Sequence, residues 1–373
     1  MKLGKLLLGI WIALLAACGG DKGTASGALR VGVVLPMTGN TATYGEESWN
    51  GILLAKDDLK GQGIEFDLRL KDEKSDSQTA NLQTKTLVEN EGANVILGSV
   101  ASSNTLQIML AAKESGIPVI TPASTNDTLT EKGGPLASRI CFNDSFQGAV
   151  LANFALTEGW KNGVAVVDRA QVYSTGLAEN IQKTFEEGGG TLAFEYYTSG
   201  DTDFANAIQN VANHKPQVIF FSGYYPEGGV MIRQAGDKWK GVPLVAGDGF
   251  DSPELPKLVG DTSADIFLSS HFAADAPDAA VQDFAKRYEK RFGQLPGAMA
   301  GLGYDVLMVL ADAVKRCKDP KDPEELGKAI AATKYKGITG FIDLTTPDRT
   351  PKKDAVIVKV GGGLKFYKVV PAK

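Results

Sequence analysis

From residue 29 onward, short β-branched runs alternate with longer stretches in which apolar residues recur every three or four positions. The short runs predict buried strands, and the three-to-four spacing predicts amphipathic helices. Such alternation is typical of right-handed βαβ units and a mostly parallel sheet. The first series has predicted strands at Leu29–Leu35, Phe66–Leu70, Asn94–Leu97 and Pro118–Ile120, and predicted helices at Tyr44–Leu59, Ser77–Glu91 and Ser102–Ser115.

After a further short run at Ser138–Phe142, the alternation starts again and ends in a helix-rich block and a hairpin. The predicted strands of this second series are Gly163–Val167, Thr191–Tyr197, Gln217–Phe221, Pro243–Val245 and Ile266–Ser269. Its predicted helices are Phe146–Glu158, Gly176–Glu187, Phe204–Ala212, Gly228–Lys238 and Pro253–Leu258. The block is predicted as helices Ala279–Phe292, Pro296–Lys315 and Pro323–Ala332, and the hairpin as strands Ala355–Val360 and Leu364–Val369.

Two similar βα series predict two lobes of similar construction. The helix-rich block has too few strands for a sheet of its own, so we expect it to complete a lobe already built. The expected fold is α/β, with two doubly wound parallel-sheet lobes joined by a three-stranded hinge that crosses near Asp144, Phe272 and Pro351. Lobe 1 is then 28–143 plus 273–351, lobe 2 is 144–272 plus 352–373, and closure around a ligand is the expected motion.

The first residues predict an export signal rather than a part of this fold. Lys2 and Lys5 precede an apolar run, residues 6–17, that is too short to span a bilayer comfortably. The run ends in Ala17-Cys18, which resembles a bacterial lipoprotein signal, in which the cysteine is acylated and becomes the mature N-terminus. An ordinary secretory signal with a chance cysteine is the alternative.

On the lipoprotein interpretation, residues 1–17 are a signal peptide and residues 18–27 a lipidated, flexible tether. The protein then works in the periplasm or cell envelope, held to the membrane by the lipid on Cys18. In such a compartment Cys141 and Cys317 can form a disulfide or remain two free thiols. Both alternatives stay open, because the sequence does not supply the Cα distance on which a disulfide depends.

Composition excludes several classes of function. Lys and Arg number 39 against 44 Asp and Glu, and the pI is about 5.3, so no nucleic-acid partner is expected. With only His214, His271 and three cysteines, a metal site and a histidine-based triad are disfavoured. The turn after the first strand, residues 36–40, lacks the glycine fingerprint of a dinucleotide site, and no nucleotide or hydrolase motif occurs elsewhere. We therefore expect neither an enzyme nor a cofactor.

The residues that follow the predicted strands suggest a binding site, because ligands of open α/β sheets lie at the carboxyl ends of the strands. Ser102 and Ser103 open a helix whose free N–H groups and dipole favour an anion, although they would also serve as simple N-caps. Asp248 lies between two glycines and suits a ligand ammonium, although a turn aspartate is the alternative. Three tyrosines at matching positions, Tyr44, Tyr173 and Tyr224, outline an apolar wall or interlobe packing.

From Leu29 to about Val369 the chain resembles the leucine/isoleucine/valine-binding protein family, the amino-acid receptors of ABC importers. The ordered motifs that carry the resemblance are Val34-Leu35-Pro36-Met37-Thr38-Gly39, Tyr44-Gly45, Ile96-Leu97-Gly98, Ile117-Pro118-Val119-Ile120-Thr121-Pro122-Ala123, Gln147-Gly148, Gly223-Tyr224, Ile232-Arg233-Gln234-Ala235 and Tyr304-Asp305. The resemblance implies the two-lobe hinge fold.

The resemblance also assigns roles to residues of the site. It implies that Ser102 binds a ligand carboxylate with Thr125 and the backbone at Ala123, and that the last two bind the α-ammonium together with Asp248. It also implies that Tyr44, Tyr173 and Tyr224 form an aromatic wall and that Met299 belongs to the same pocket. Phe250 is a further expected ligand contact, from its place at the strand end after Asp248. The branched-chain receptors have Glu at the position of Asp248 and Phe at that of Met299, so the shorter acid and softer methionine depart from that pattern.

Together these observations predict a monomeric, lipid-anchored receptor that captures a free amino acid, apolar or branched-chain, for an ABC permease. A ligand-sensing receptor for a small amide or carboxylate is the rival within binding proteins. An extracytoplasmic enzyme acting on an amino-acid derivative is the rival from another class.

Overall fold

The structure, a computed structural model, describes residues 28–260 and 264–372. Its strands are β1 Leu29–Leu35, β2 Phe66–Asp72, β3 Val95–Gly98, β4 Val119–Thr121, β5 Ala137–Arg139, β6 Asn162–Asp168, β7 Thr191–Tyr197, β8 Val218–Ser222, β9 Leu244–Ala246, β10 Ile266–Ser270, β11 Lys334–Gly337, β12 Gly340–Asp343, β13 Ala355–Val360 and β14 Leu364–Val370. Its α-helices are α1 Ala42–Lys60, α2 Ser77–Lys85, α3 Ser102–Glu114, α4 Leu129–Gly133, α5 Asp144–Thr157, α6 Val172–Glu187, α7 Ala205–Asn213, α8 Tyr225–Ala235, α9 Leu255–Val259, α10 Ala279–Phe292, α11 Ala298–Arg316 and α12 Pro323–Ala331.

Two separate sheets form the framework, as the alternating pattern predicted. The first has the order β2-β1-β3-β4-β5 and is parallel throughout. The second has the order β14-β13-β10-β9-β8-β6-β7, parallel from β7 to β10 and antiparallel at β13 and β14. Both have the reversed strand order of a doubly wound sheet, whose switch point is where such folds bind ligands. The fold class is therefore the α/β architecture expected from the sequence.

The helix-rich block packs beside the first sheet and the final hairpin extends the second. Helix α11 packs along α1, and α12 contacts β5. Strand β13 pairs with β10 from Ile266↔Val360 to Ser270↔Val356. The chain therefore passes between the two sheets after β5, after β10 and again before β13. The lobe boundaries proposed from the sequence remain a prediction.

The core strands are buried on both faces, as parallel strands covered by helices must be. Val31 and Val33 of β1 and Val164 and Val166 of β6 are fully buried. Within the described residues, no helix is both long and apolar enough to cross a membrane. The predicted signal peptide and Cys18 lie outside the described residues.

Several elements differ from the predicted ones. The helix expected over Ser77–Glu91 ends at Lys85 and continues as a single π-helical turn, Thr86–Asn90. The short helix α4 and the hairpin β11–β12 were not predicted.

The structure resolves the alternatives left open for the two cysteines in favour of free thiols. Cys141 is buried and its Sγ donates to the Ser124 carbonyl oxygen at 3.3 Å, whereas Cys317 is half-buried. Burial raises the pKa of the Cys141 thiol to about 12, so it is not a nucleophile at neutral pH.

Candidate ligand-binding site

The predicted site residues come from both sides of the molecule and meet at the carboxyl ends of the strands. Ser102 begins α3 after β3, Ala123 and Thr125 follow β4, and Tyr44 lies in the first turns of α1. The opposite side supplies Tyr173 from α6, Tyr224 after β8 and Asp248 after β9. Met299 comes from the first turn of α11.

The side formed by the first sheet offers hydroxyls and a helix N-terminus. Neither serine caps its own helix, since no side chain caps α3. Ser102 Oγ accepts from the Asn126 backbone N–H at 3.3 Å, and Ser103 Oγ donates to Gln171 Oε1 at 2.8 Å. The first backbone N–H groups of α3 are therefore not capped by a side chain, and that of Ser102 is directed to the Tyr224 hydroxyl of the opposite side. The helix N-terminus and the buried Ser102 hydroxyl together favour an anion.

The opposite side presents Asp248 in a short 3-10 turn, Asp248–Phe250. A Cβ on Gly247 would lie 2.2 Å from the Tyr173 hydroxyl, and one on Gly249 would lie 2.4 Å from the Gly223 carbonyl oxygen. A side chain at 249 would strike the backbone of Gly223, and one at 247 would displace Tyr173, so the backbone on either side of Asp248 packs tightly. Asp248 is 3% exposed and its Oδ2 lies 3.1 Å from His271 Nε2.

Three tyrosines form an aromatic wall that includes contacts across the cleft. The rings of Tyr173 and Tyr224 stack with centroids 5.3 Å apart, and Tyr44 meets Tyr224 edge-on at 6.3 Å. The Tyr44 hydroxyl donates to the Gly249 carbonyl oxygen at 2.5 Å, and the Gly249 N–H donates to the Tyr173 hydroxyl at 3.0 Å.

Burial sets the protonation of this wall. It raises the pKa of Tyr44, Tyr173 and Tyr224 well above the usual phenol value, so all three hydroxyls stay protonated at neutral pH. Burial also raises the pKa of the Asp144 carboxyl, and the charge of Asp248 adds to that effect. The wall is therefore uncharged and can donate hydrogen bonds.

These side chains enclose one small cavity. Its lining is Tyr44, Val100, Ser102, Ala123, Thr125, Tyr173, Tyr224, Asp248, Gly249 and Met299. The cavity volume is ≈ 10 Å³, room for about one water molecule. A larger ligand must therefore enter with the lobes apart or with the wall side chains moved.

The structure brings eight of the nine predicted ligand-binding residues together and places Phe250 elsewhere. The Phe250 side chain is fully buried in the second lobe, with its ring 4.7 Å from that of Phe221. The 3-10 turn after β9 directs Asp248 to the cavity and Phe250 into the core. The structure therefore does not place Phe250 in the lining of the cavity, where it was expected from the sequence.

Hydrogen bonds join the two sides around the cavity. Asn126 Nδ2 donates to the Val172 carbonyl oxygen at 2.8 Å, Asn180 Nδ2 to Asp127 Oδ2 at 2.8 Å, and the Tyr225 hydroxyl to Thr43 Oγ1 at 3.1 Å. The structure is therefore a closed arrangement.

Sequence reasoning missed Val100, Gly249 and His271. Val100 precedes the predicted helix by two residues and carries no polar signal. His271 directly follows β10, so reading the end of that strand as the others were read would have found it. Among the described residues, no three His, Cys, Asp or Glu side chains converge as metal ligands would.

A small, polar and aromatic cavity enclosed between two doubly wound α/β lobes defines a class, the two-lobe solute receptors. A family model for periplasmic binding proteins matches residues 28–364, and the chain belongs to that family. The family consists of solute-binding proteins rather than enzymes.

Several relatives are similar over nearly the whole chain. The leucine-, isoleucine-, valine-, threonine- and alanine-binding protein of Pseudomonas aeruginosa is 27% identical over 91% of this chain and 92% of its own. The crystal structure of the leucine-binding protein LivK from Thermotoga maritima is 33% identical, with a TM-score of 0.87 over 92% of this chain and 99% of that one. The branched-chain amino-acid transporter protein LivJ from Streptococcus pneumoniae, solved with isoleucine, is 27% identical, with a TM-score of 0.83 over 92% and 98% of the two chains.

Proposed function

We propose that this protein is the extracytoplasmic receptor of an ABC importer and that it closes around one free, apolar or branched-chain amino acid. The observation that carries the proposal is the pairing of opposite ligand-binding features in a single cavity. The N-terminus of α3 with Ser102 lies on one wall and the Asp248 carboxylate lies on the other. A zwitterion satisfies both, because its carboxylate suits the helix N-terminus and its ammonium suits the acid.

The chemistry of the remaining lining suits contact with an apolar side chain. Val100, Ala123 and Met299 supply apolar surface, and the tyrosine rings add flat, largely apolar faces. Methionine is flexible, so Met299 can adapt to tails of different length. The relatives named for leucine, isoleucine, valine, threonine and alanine support this ligand class.

A receptor for small carboxylates is the second candidate, and solved proteins of the same fold include one in complex with benzoate. That protein is 24% identical to this chain, so the similarity supports a shared fold and not a shared ligand. Asp248 argues against this candidate, because a carboxylate without an ammonium would leave a buried acid facing a ligand of like charge.

Calorimetric titration of the refolded protein with the twenty amino acids tests the proposal. Refolding matters because a receptor of this kind can purify with its ligand bound. The strongest binder is then compared with its des-amino analogue, for example leucine with 4-methylpentanoate, on the wild type and on Asp248→Asn.

We expect Asp248→Asn to weaken amino-acid binding by roughly 10–100-fold, because a charge-assisted hydrogen bond contributes about 1.5–3 kcal/mol and about 1.4 kcal/mol is a factor of ten. The des-amino analogue has no ammonium, so it loses far less. Equal weakening of both ligands, or of neither, would remove Asp248 from ligand recognition.

We further propose that the receptor works from a lipid anchor at Cys18, on lobes with the boundaries predicted above, and as a monomer that presents its ligand to membrane subunits of the importer. The family supports a location outside the cytoplasm, and the residues up to Cys18 support the anchor. Cys18→Ser should release the protein from the membrane fraction or block its processing. Unchanged fractionation of that variant would exclude the lipid anchor.

A further inference from the structure

We infer that His271 is a positioning residue of the ammonium site, which holds one oxygen of Asp248 so that the other faces the ligand. This inference rests on the proposed function and adds a residue that neither the resemblance nor the lining of the cavity assigns. His271 follows β10 at the carboxyl edge of the second sheet and is 2% exposed.

The hydrogen bond between the two side chains has a definite direction. His271 Nε2 lies 3.1 Å from Asp248 Oδ2, whereas His271 Nδ1 is buried without a hydrogen-bond partner among the described residues. The tautomer with its proton on Nε2 makes this bond, and the other tautomer would set a lone pair against the carboxylate. His271 therefore donates to Oδ2, which leaves Oδ1 of a cavity-lining residue for a donor on the ligand.

The imidazole is itself held in place by the segments that connect the lobes. Its ring stacks on Phe142, which follows β5, with centroids 3.8 Å apart and an interplanar angle of 28°. Burial lowers the pKa of His271, and the nearby Lys353 charge acts in the same direction, while Asp248 opposes both. The neutral ring thus orients Asp248 and leaves the negative charge of the carboxylate available to the ammonium.

The position of His271 also explains how so short an acid is kept in one orientation. Asp248 lies in a three-residue 3-10 turn. Its carboxylate can rotate about the side-chain single bonds unless a neighbouring group holds it. The connecting segments do this through His271, because Phe142 and His271 both lie where the chain leaves a sheet. Preorganised ligand-binding groups of this kind reduce the ordering cost of binding.

The test compares His271→Phe, His271→Gln and His271→Asn with the wild type. Phenylalanine keeps a ring against Phe142 but cannot donate. Glutamine places an amide N–H near the position of Nε2, whereas asparagine, which is shorter, places its amide near Nδ1 and does not reach Asp248. His214→Gln is the matched control, because His214 also pairs with an acid, Glu195, at 3.2 Å, but on the exposed surface.

Each variant is titrated with the amino acid that binds the wild type best and with its des-amino analogue. We expect His271→Phe to weaken amino-acid binding by about 5–30-fold and to change binding of the analogue by less than about threefold. Glutamine should restore most of the affinity and asparagine should not. The control variant should bind both ligands as the wild type does.

The outcomes separate this inference from the function on which it rests. The role of His271 is overturned, while the receptor function stands, by either of two results. In the first, His271→Phe weakens binding of both ligands equally and glutamine does not restore it. In the second, all three variants bind the amino acid as the wild type does. If the phenylalanine variant does not fold, equal affinities of the glutamine and asparagine variants overturn the role. A wild type that binds no free amino acid overturns the function and this inference with it.

Discussion

At the scale of single residues, buried carboxyl groups are the costly feature of the closed structure. Glu47 on α1 and Asp251, just after the 3-10 turn, are both buried and come from opposite sides of the cleft. Burial raises the pKa of Glu47 to about 8 and that of Asp251 to about 7. The charge of Asp251 adds to the rise at Glu47, and the charge of Asp248 adds to the rise at Asp251. In this structure two buried acids whose ionisation is disfavoured therefore lie close enough to influence each other across the cleft.

Glu47→Gln tests the cost of this burial. The folded protein holds a proton on Glu47 more tightly than the unfolded chain does, so the contribution of this one group to stability is fully present below about pH 4.5 and is lost as the pH rises towards 8. Glutamine is neutral throughout and can still accept from the Gly297 N–H, which lies 3.0 Å from Glu47 Oε1.

The thermal unfolding midpoint of Glu47→Gln should exceed that of the wild type by roughly 10 °C at pH 9, with the difference vanishing below about pH 4. One pKa unit corresponds to about 1.4 kcal/mol, and 1 kcal/mol shifts the midpoint by roughly 2–4 °C in domains of 150–250 residues. Glu46→Gln is the control, because that side chain is exposed on the same helical turn. A variant no more stable than wild type at pH 9 would show that burial of Glu47 carries no penalty.

Residue chemistry explains which parts of the site the sequence could predict. Ser102, Thr125 and Asp248 are polar and directly follow strands, and parallel strands bring their carboxyl ends to one edge, so their convergence was predictable. Phe250 also follows a strand, but one extra turn of backbone directs it into the core. That local direction depends on tight packing at Gly247 and Gly249, which no pattern in the sequence reveals.

At the scale of elements, strands and long helices followed from periodicity, whereas elements stabilised by distant contacts did not. The β11–β12 hairpin turns at Ile338-Thr339, which are not typical turn residues. Its turn is held by the Asp305 carboxylate, which accepts from the backbone N–H groups of both residues at 2.8 Å. Because Asp305 is more than thirty positions earlier in the chain, a local pattern could not predict this hairpin.

The connecting segments between the sheets are also tied to one another. Lys353, just before β13, is buried and donates from Nζ to the Ile140 carbonyl oxygen, after β5, at 3.1 Å. The same ammonium donates to Thr339 Oγ1, and burial lowers the pKa of Lys353 to about 8. Hydrogen bonds therefore hold these segments together, and the lobes can rotate relative to each other about them.

At the scale of the whole molecule, the cavity and the contacts across the cleft belong to one closed state. The space inside admits about one water molecule, so an amino acid fits only when the two walls lie further apart than they do here, and it then contacts both of them. A ligand that contacts both walls stabilises the closed state, because it loses half of its contacts when the lobes separate. The sequence predicted two lobes and a hinge, but the degree of closure depends on side-chain contacts that only the structure provides.

Small-angle scattering of the refolded protein tests this central claim most directly. The radius of gyration is measured without ligand and with the saturating amino acid identified by calorimetry. Asp248→Asn at the same amino-acid concentration serves as the control. We expect the ligand to reduce the radius of gyration of the wild type and to change that of the unsaturated variant little. Equal wild-type radii with and without saturating ligand would contradict closure around the amino acid.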